Sequence, residues 1–391
     1  MQKRAILIAN SASMIDHFNR DNIAILKSLG YEVTVAANFR EGNSSTSERV
    51  NEFANELNGQ GIEIVDLPIP RKLSQIMSAI RSIRKLKKYL EDNPCEIVHT
   101  QTPFGGVVGR IAAKKYRRDG ISKVIYFVHG FHFYKGAPLK NYLIYYNIEK
   151  YLIRYTDCLI TLNQEDYTTA LRKFKKTNVR YVPGVGIDTK LLSEKNIDIS
   201  KKRRQLGLPV DHTLVLNVAE LIPRKNVETT IRAFAKVSEE NIGLVICGKG
   251  VLEHALKELC RELGIEKKVF FLGYRTDIIE IYKCCDIFLF TSYQEGLSVA
   301  LMQAMATGLP IVASDIRGNR DLLHPYEGAR SSSYLVSPDD VELFAKKIQI
   351  LIKDSEERKL LGQENINNCE EYFDIKIAHE KMCNIYNELV L

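Results

Sequence analysis

The feature that most narrows the choice of fold is a rhythm of short apolar runs separated by stretches long enough for a helix. Ala5–Ala9, Glu32–Ala37, Ile62–Leu67, Glu96–Thr100, Lys123–Val128 and Cys158–Leu162 form a first series. Thr213–Val218, Gly243–Cys247, Lys268–Leu272, Ile287–Thr291 and Pro310–Ser314 form a second. Runs this short and this apolar read as strands buried on both faces, and the spacers leave room for the crossover that a parallel pair requires. One spacer reads as a helix around Phe18–Leu29 closed by Gly30, a residue suited to the left-handed turn past a helix end. Two such series in 391 residues predict an α/β protein of two doubly wound, Rossmann-like parallel sheets, with sites at the carboxyl ends of the strands. Val182-Pro-Gly-Val-Gly-Ile-Asp188 lies between the series and reads as a hinge.

Charge is unevenly divided between the halves. Residues 1–185 carry 28 Lys and Arg against 17 Asp and Glu, while the remainder carries 27 against 31. A basic half joined to a mildly acidic one predicts that the first domain faces something anionic; nucleic acid, a phospholipid surface and a phosphorylated lipid all qualify. With 45% hydrophobic and 26% charged residues, the composition excludes disorder. No apolar run is long enough to span a bilayer, and the opening run is broken at Asn10, so it reads as a strand and not as a signal peptide. Eight Cys without a C-x-x-C spacing predict reduced thiols in a cytoplasmic protein; the adjacent Cys284 and Cys285 are a poor metal site.

Residues 71–90 stand apart, with seven Lys and Arg and no acid. Leu73, Ile76, Met77, Ile80, Ile83, Leu86 and Leu90 recur every three or four positions and would share one helical face. The stripe can pack on the sheet while Arg81, Arg84, Lys85, Lys87 and Lys88 meet solvent or an anionic membrane surface. A nucleic-acid role is disfavoured, because no aromatics interleave the cations and no reader motif is present.

In the second half, Arg224 and Lys225 follow a strand and precede a helix over Val227–Ala235. Cations at a strand end beside a helix N-terminus suit a diphosphate, although such a pair is often only solvent-exposed. Gly248-Lys249-Gly250 follows the next strand and would let backbone approach a ligand, or simply turn. The segment Ser292–Asp315 is richer. A strand ends at Thr291, Glu295-Gly296 is expected to open a helix, and the first-turn N–H groups there form a second anion site. Glu295 could accept hydrogen bonds from sugar hydroxyls, or be only an acid favoured by the helix dipole.

This last segment resembles the nucleotide-sugar signature of the retaining family 4 glycosyltransferases, which have the GT-B fold of two Rossmann-like domains facing across a cleft. The family pattern is Glu, seven residues, Glu, a run of small residues and then Gly-x-Pro-Val/Ile; Glu295, Gly296, Gly308 and Pro310 match it. The hinge, Arg224/Lys225, Gly273-Tyr274 and the loop Gly-Asn-Arg-Asp321 fall in the expected order along essentially the whole chain. Val128–Pro138 looks like the bacterial capsular and exopolysaccharide subgroup. One position departs: the second Glu is Gln303, which can hydrogen-bond ribose hydroxyls but carries no charge.

The resemblance implies an N-terminal acceptor-binding domain over 1–184, a C-terminal nucleotide-sugar domain over 185–375, and a last helix, about 376–391, packing back on the first. It implies that Glu295 holds the sugar hydroxyls and that N–H groups of Gly296, Leu297 and Ser298 meet the donor phosphates. Arg224 and Lys225 would stabilise the diphosphate leaving group, with Gly248, Gly273, Tyr274 and Gln303 also in the donor site. His129, at a strand end of the first domain, would face the sugar, and Asn10, Ser11, Met14, Asp16 and His17 would line the acceptor side. The expected activity is metal-independent transfer with retention, without a cofactor, from a nucleoside-diphosphate sugar, expected to be UDP-linked. The expected acceptor is a polyprenyl-diphosphate-linked saccharide at the inner face of the membrane. Two alternatives remain at this stage: a GT-B-fold sugar-nucleotide epimerase, which would show paired carboxylates, and a catalytically silent sugar-nucleotide-binding partner, which Gln303 keeps open.

Overall fold

The computed structural model describes residues 3–390. Two compact units make up the chain: one runs to Val185 and takes in the chain from Lys376 onward, and the other is Gly186–Ile375.

The first unit is built on seven parallel strands: β1 (Arg4–Ile8), β2 (Glu32–Ala37), β3 (Glu63–Asp66), β4 (Ile97–Gln101), β5 (Lys123–Val128), β6 (Cys158–Thr161) and β7 (Asn178–Tyr181). They lie in the order β3-β2-β1-β4-β5-β6-β7, so the direction of winding reverses between β1 and β4. Helices cover the sheet, and Ile6, Ile8 and Val98 pack against Leu86, Leu90, Val108 and Ala112 on one side. The helix Pro103–Arg118 carries the fully buried Arg110, which is bidentate to Glu149 at 2.7 and 3.1 Å and stacked over the Tyr126 ring. That pair fixes the segment that follows the β5 loop. The helix Ile375–Val390 returns the chain to this unit and buries Met382 and Tyr386 there.

The second unit holds six parallel strands: β8 (Thr213–Val218), β9 (Ile242–Cys247), β10 (Val269–Gly273), β11 (Ile287–Phe290), β12 (Ile311–Ser314) and β13 (Leu335–Val336). Their order, β10-β9-β8-β11-β12-β13, reverses between β8 and β11. Successive side chains point to opposite faces, so Leu214, Leu216, Phe288 and Phe290 pack with Leu301, Met305 and Leu322 on one side. Val215, Ile287 and Leu289 pack with Ile231, Phe234, Phe344 and Ile348 on the other. Two doubly wound sheets are thus the architecture that the apolar rhythm required.

Several local expectations need correction. The helix expected around Phe18–Leu29 is Arg20–Ser28; what was not expected is a separate helix before it, Ala12–Phe18, which ends at Asn19, where the amide turns inward to a buried polar cluster. Gly30 does lie past the second helix with φ of 83°. Strands β7 and β13 were not foreseen; β7 is a polar edge strand and β13 has only two residues, so neither shows an apolar run. The 71–90 stripe is not one continuous face either. Leu73–Gln75 is a separate 3-10 turn, and in the helix Ile76–Asp92 the buried residues are Ala79, Ser82, Leu86 and Leu90. Glu295-Gly296 does not open a helix: the helix is Val299–Ala306, capped by the Ser298 hydroxyl, which accepts from Leu301 N.

Candidate active site

The richest cluster lies at the carboxyl ends of β8 and β11, where the second sheet reverses. Doubly wound sheets leave a crevice at such a point, because the flanking crossovers leave to opposite faces. After β8 the chain passes through the 3-10 turn Pro223–Lys225 and then Asn226, whose φ of 51° is left-handed. Asn226 holds that conformation by anchoring its loop: its Nδ2 donates to Thr291 O at 3.1 Å and to Pro338 O at 3.0 Å, while Thr291 Oγ1 donates to Asn226 O at 2.7 Å. The loop after β8 is thereby tied to the end of β11.

That tie brings together residues seventy positions apart. Lys225 Nζ lies 2.6 Å from Glu295 Oε1, and Arg224 Nη1 lies 3.4 Å from Oε2 and 2.7 Å from Gln294 O. Glu295 is only 8% exposed, whereas the Arg224 side chain is 44% exposed, so the guanidinium can swing toward a ligand while the carboxylate stays fixed. The buried Arg317 adds a third cation, its Nε donating to Glu295 O at 3.4 Å. Arg317 was missed in the sequence, where it stood next to Gly-Asn-Arg-Asp321 with nothing to mark it as buried. A carboxylate paired with two cations at a sheet's switch point can hold hydroxyls while the cations neutralise phosphate.

The neighbouring glycines have a different reason for being there. A Cβ on Gly248, at φ 144°, would lie 1.8 Å from Ala219 O, and one on Gly318 would lie 2.4 Å from Gly296 O. The close approach that demands glycine is therefore by the chain's own backbone, which packs the strand-end loops together. Gly273 accepts from Gly248 N, and Tyr274 beyond it is exposed. Gly296 and Leu297 are half-buried in the loop leading to the Ser298 cap. Gln303 is half-buried, and its side-chain amide has no hydrogen bond within the described residues.

In the first unit His129 stands at the end of β5, half-buried between the Phe127 and Phe18 rings, with Nε2 2.6 Å from Gln101 Oε1. Burial lowers its pKa to about 4, so the ring is neutral at pH 7. Gln101 belongs to a buried polar cluster with His99, Asn19, Asn22 and Tyr386 that was not singled out in the sequence. Its signal was present: β4 reads Ile-Val-His-Thr-Gln, three polar residues in a strand buried throughout. After β1, Asn10 N donates to Thr102 Oγ1 and Ser11 precedes the helix Ala12–Phe18, which carries Met14. Asp16 does not have an open carboxylate. It is buried and paired with Arg20 at 2.5 Å and with Arg49 at 3.0 Å, and both guanidiniums also bind Glu56. Asp16 is a structural anion, corrected from the acceptor side, while His17 beside it is exposed and bonded to Ser45.

On the 76–92 helix Arg81, Arg84, Lys85, Lys87 and Lys88 are all exposed. Ile76 and Met77 are 63% and 62% exposed beside them, so cations and large apolar side chains share a solvent face. Among the described residues no helix is long and apolar enough to cross a membrane, and no cluster of His, Cys, Asp or Glu could hold a metal ion. All eight Cys are free thiols, seven of them buried.

Comparison with known proteins makes the class of this chain definite. The model of glycosyl transferases group 1 matches residues 198–368, and that of the glycosyl transferase 4-like domain matches 7–163. The putative glycosyltransferase EpsD of Bacillus subtilis is 32% identical, over 99% of this chain and 97% of its own. An Escherichia coli UDP-Gal:alpha-D-GlcNAc-diphosphoundecaprenol alpha-1,3-galactosyltransferase is 27% identical over 81% of each chain. Among solved structures, Anabaena HepE in complex with UDP and glucose superposes with a TM-score of 0.76 at 21% identity, over 99% of this chain and all of the other. The chain belongs to the glycosyltransferases of the group 1, GT-B type.

Proposed function

We propose that the protein is a retaining glycosyltransferase that moves a sugar from a UDP-linked donor to a saccharide carried on a polyprenyl diphosphate, in capsule or exopolysaccharide synthesis. The observation that carries this reading is the Lys225–Glu295–Arg224 cluster at the β8/β11 switch point. HepE, bound to UDP and glucose, and the E. coli enzyme, whose acceptor is a diphosphoundecaprenol, support the choice of nucleotide and of acceptor.

In this reading Glu295 orients the sugar hydroxyls, and Arg224 and Lys225 turn toward the diphosphate as it departs. The bond from the anomeric carbon to the phosphate oxygen breaks and UDP leaves with the electron pair. The acceptor oxygen joins the same face of that carbon, and its proton passes to the leaving phosphate oxygen. These two cations stabilise the charge that develops there, so the reaction needs no divalent metal. His129 and the loop after β1 belong to the acceptor side, and Gln303, with its unpaired amide, meets the ribose. The exposed Ile76 and Met77 with the five cations of the same helix give peripheral attachment to the anionic inner face of the cell membrane.

The test is a panel of UDP-, GDP- and ADP-sugars assayed with a membrane lipid extract. Sugar transfer into the lipid fraction from a UDP donor, with the anomeric configuration kept and in the presence of a chelator, is expected. Turnover confined to GDP or ADP donors, epimerisation without transfer, or no turnover of any donor would refute the reading.

A further inference from the structure

The chain that follows the β5 loop is a second place in the first unit where large apolar side chains meet solvent. It is one helical segment built from a short turn, Leu139–Asn141, a π-helical stretch, Tyr142–Tyr146, the helix Asn147–Leu152 and a 3-10 turn, Ile153–Tyr155. Tyr145 and Tyr146 hold it to the loop, Tyr145 stacked on His132 at 4.5 Å and Tyr146 edge-on to Phe133 at 5.4 Å. Leu139 and Leu143, one turn apart, are left outside at 74% and 64% exposure, and Tyr142, Ile144 and Tyr151 are exposed with them. Glu149 is the only acid between residues 135 and 155, and it is buried against Arg110. Lys140, Lys150 and Arg154 are exposed along the segment, as are Lys114 and Lys115 on the helix Pro103–Arg118. Arg154 lies over the Tyr151 ring at 4.5 Å, and Lys114 over the Tyr155 ring at 4.9 Å. Apolar side chains rimmed by cations and by aromatic rings with polar tips complement acyl chains under anionic headgroups.

This segment and the helix Ile76–Asp92 run in the same direction. Each leaves the carboxyl end of a strand, β3 or β5, and leads to the amino end of a parallel one, β4 or β6, so each runs against the strands. Both pack against the helix Pro103–Arg118. Leu86 and Leu90 of the first share a core with its Val108 and Ala112, and Glu149 of the second pairs with its Arg110. The two elements therefore lie on one face of the sheet with their first turns toward its carboxyl edge, where His129 follows β5. Those first turns carry Ile76 and Met77 on one element and Leu139 and Leu143 on the other.

We propose that Leu139–Tyr155 is a second membrane-docking element, which inserts Leu139, Leu143 and Ile144 into an anionic bilayer and turns the carboxyl edge of the first sheet toward the lipid. The inference rests on the reading that the first unit works at an anionic membrane. A single helix on the surface leaves the protein free to roll about its axis, whereas two separate elements fix its orientation. Once one is engaged, the other docks as an intramolecular event, so the weak attraction of each becomes a stronger joint one.

The sequence contains no Trp, so Leu143→Trp in the full chain puts the sole indole on the exposed face of this segment. The probes are vesicles of phosphatidylglycerol with phosphatidylethanolamine, and phosphatidylcholine vesicles as the uncharged control. With the anionic vesicles the indole emission should shift to the blue and be quenched by lipids brominated on their acyl chains, and with the control neither should occur. The double variant Leu139→Ser/Leu143→Ser, with an unaltered melting curve, should lower sedimentation with anionic vesicles at least about 10-fold at fixed lipid, since both side chains lose their transfer out of water. A Leu143→Trp protein that sediments with anionic vesicles but shows no shift or quenching overturns the proposal and leaves the helix Ile76–Asp92 as the membrane face. Parental sedimentation of the double variant does the same. A parent chain that fails to sediment with anionic vesicles overturns the membrane reading itself, and the proposal with it. A blue shift without lipid that grows with protein concentration overturns it in favour of contact between copies of the chain.

Discussion

Replacing Glu295 by Gln separates the two tasks assigned to the switch-point cluster. The carboxylate lies 2.6 Å from Lys225 Nζ and 3.4 Å from Arg224 Nη1 and is 8% exposed, so its charge is felt by both cations. Glutamine keeps the shape and removes the charge. A hydrogen bond to a charged group is worth about 1.5–3 kcal/mol, so weaker holding of the sugar hydroxyls should lower transfer by about 10- to 100-fold. The same change frees the cations. In the absence of donor they are partly neutralised by Glu295; with Gln they face an incoming diphosphate undivided, and UDP should bind about 10-fold more tightly, a figure kept small because Arg224 is exposed to solvent screening. Calorimetric titration with UDP and turnover at saturating acceptor read the two effects, and a melting curve confirms that the fold survives. Parental turnover would remove Glu295 from the site. Weaker UDP binding would show that the cations need the carboxylate to hold them in place, and would refute the argument that they compete.

Other outcomes follow from the same structure. Arg224→Ala and Lys225→Ala should each weaken UDP binding and slow transfer; unchanged UDP titrations of both would displace the phosphate site from the β8 loop. Gln303→Glu should tighten nucleotide binding without changing which sugar is transferred, and looser binding in the same titration would mean that this position is built around an amide. Reversing charge at Arg84, Lys85, Lys87 and Lys88 should release the protein from anionic vesicles, since each basic residue near such a surface contributes about 1 kcal/mol, with soluble UDP still bound; undiminished sedimentation with the vesicles would place the membrane face elsewhere. Acid should destabilise the first unit: His99 is fully buried with its pKa lowered to about 3, so the unfolded chain takes up its proton first as pH falls below its ordinary value. Stability from this group is complete above about pH 6.5 and is lost toward pH 3 at about 1.4 kcal/mol per pH unit, a slope that His99→Gln should reduce in denaturant titrations.

The division between sequence and tertiary structure follows the range of the forces involved. Strands buried on both faces must be apolar along a few consecutive residues, so β2, β5 and β8 could be read at their observed limits, and with them the two doubly wound sheets. The polar edge β7 and the two-residue β13 left no such trace, since their place depends on a neighbouring strand and not on their own composition. In the site, Arg224, Lys225 and Glu295 were legible as residue types at strand ends, but only the β8/β11 switch brings them to within hydrogen-bonding distance across seventy residues. Asp16 shows the reverse: an acid beside a strand end resembles a site residue until Arg49, from a different helix, is seen to neutralise it. The buried polar cluster from Asn19 to Tyr386 left only a partial trace in the sequence, the polar residues of β4. Local sequence encodes burial and periodicity, whereas the hydrogen bond between His99 and Tyr386 forms only when the fold brings both side chains into one buried space.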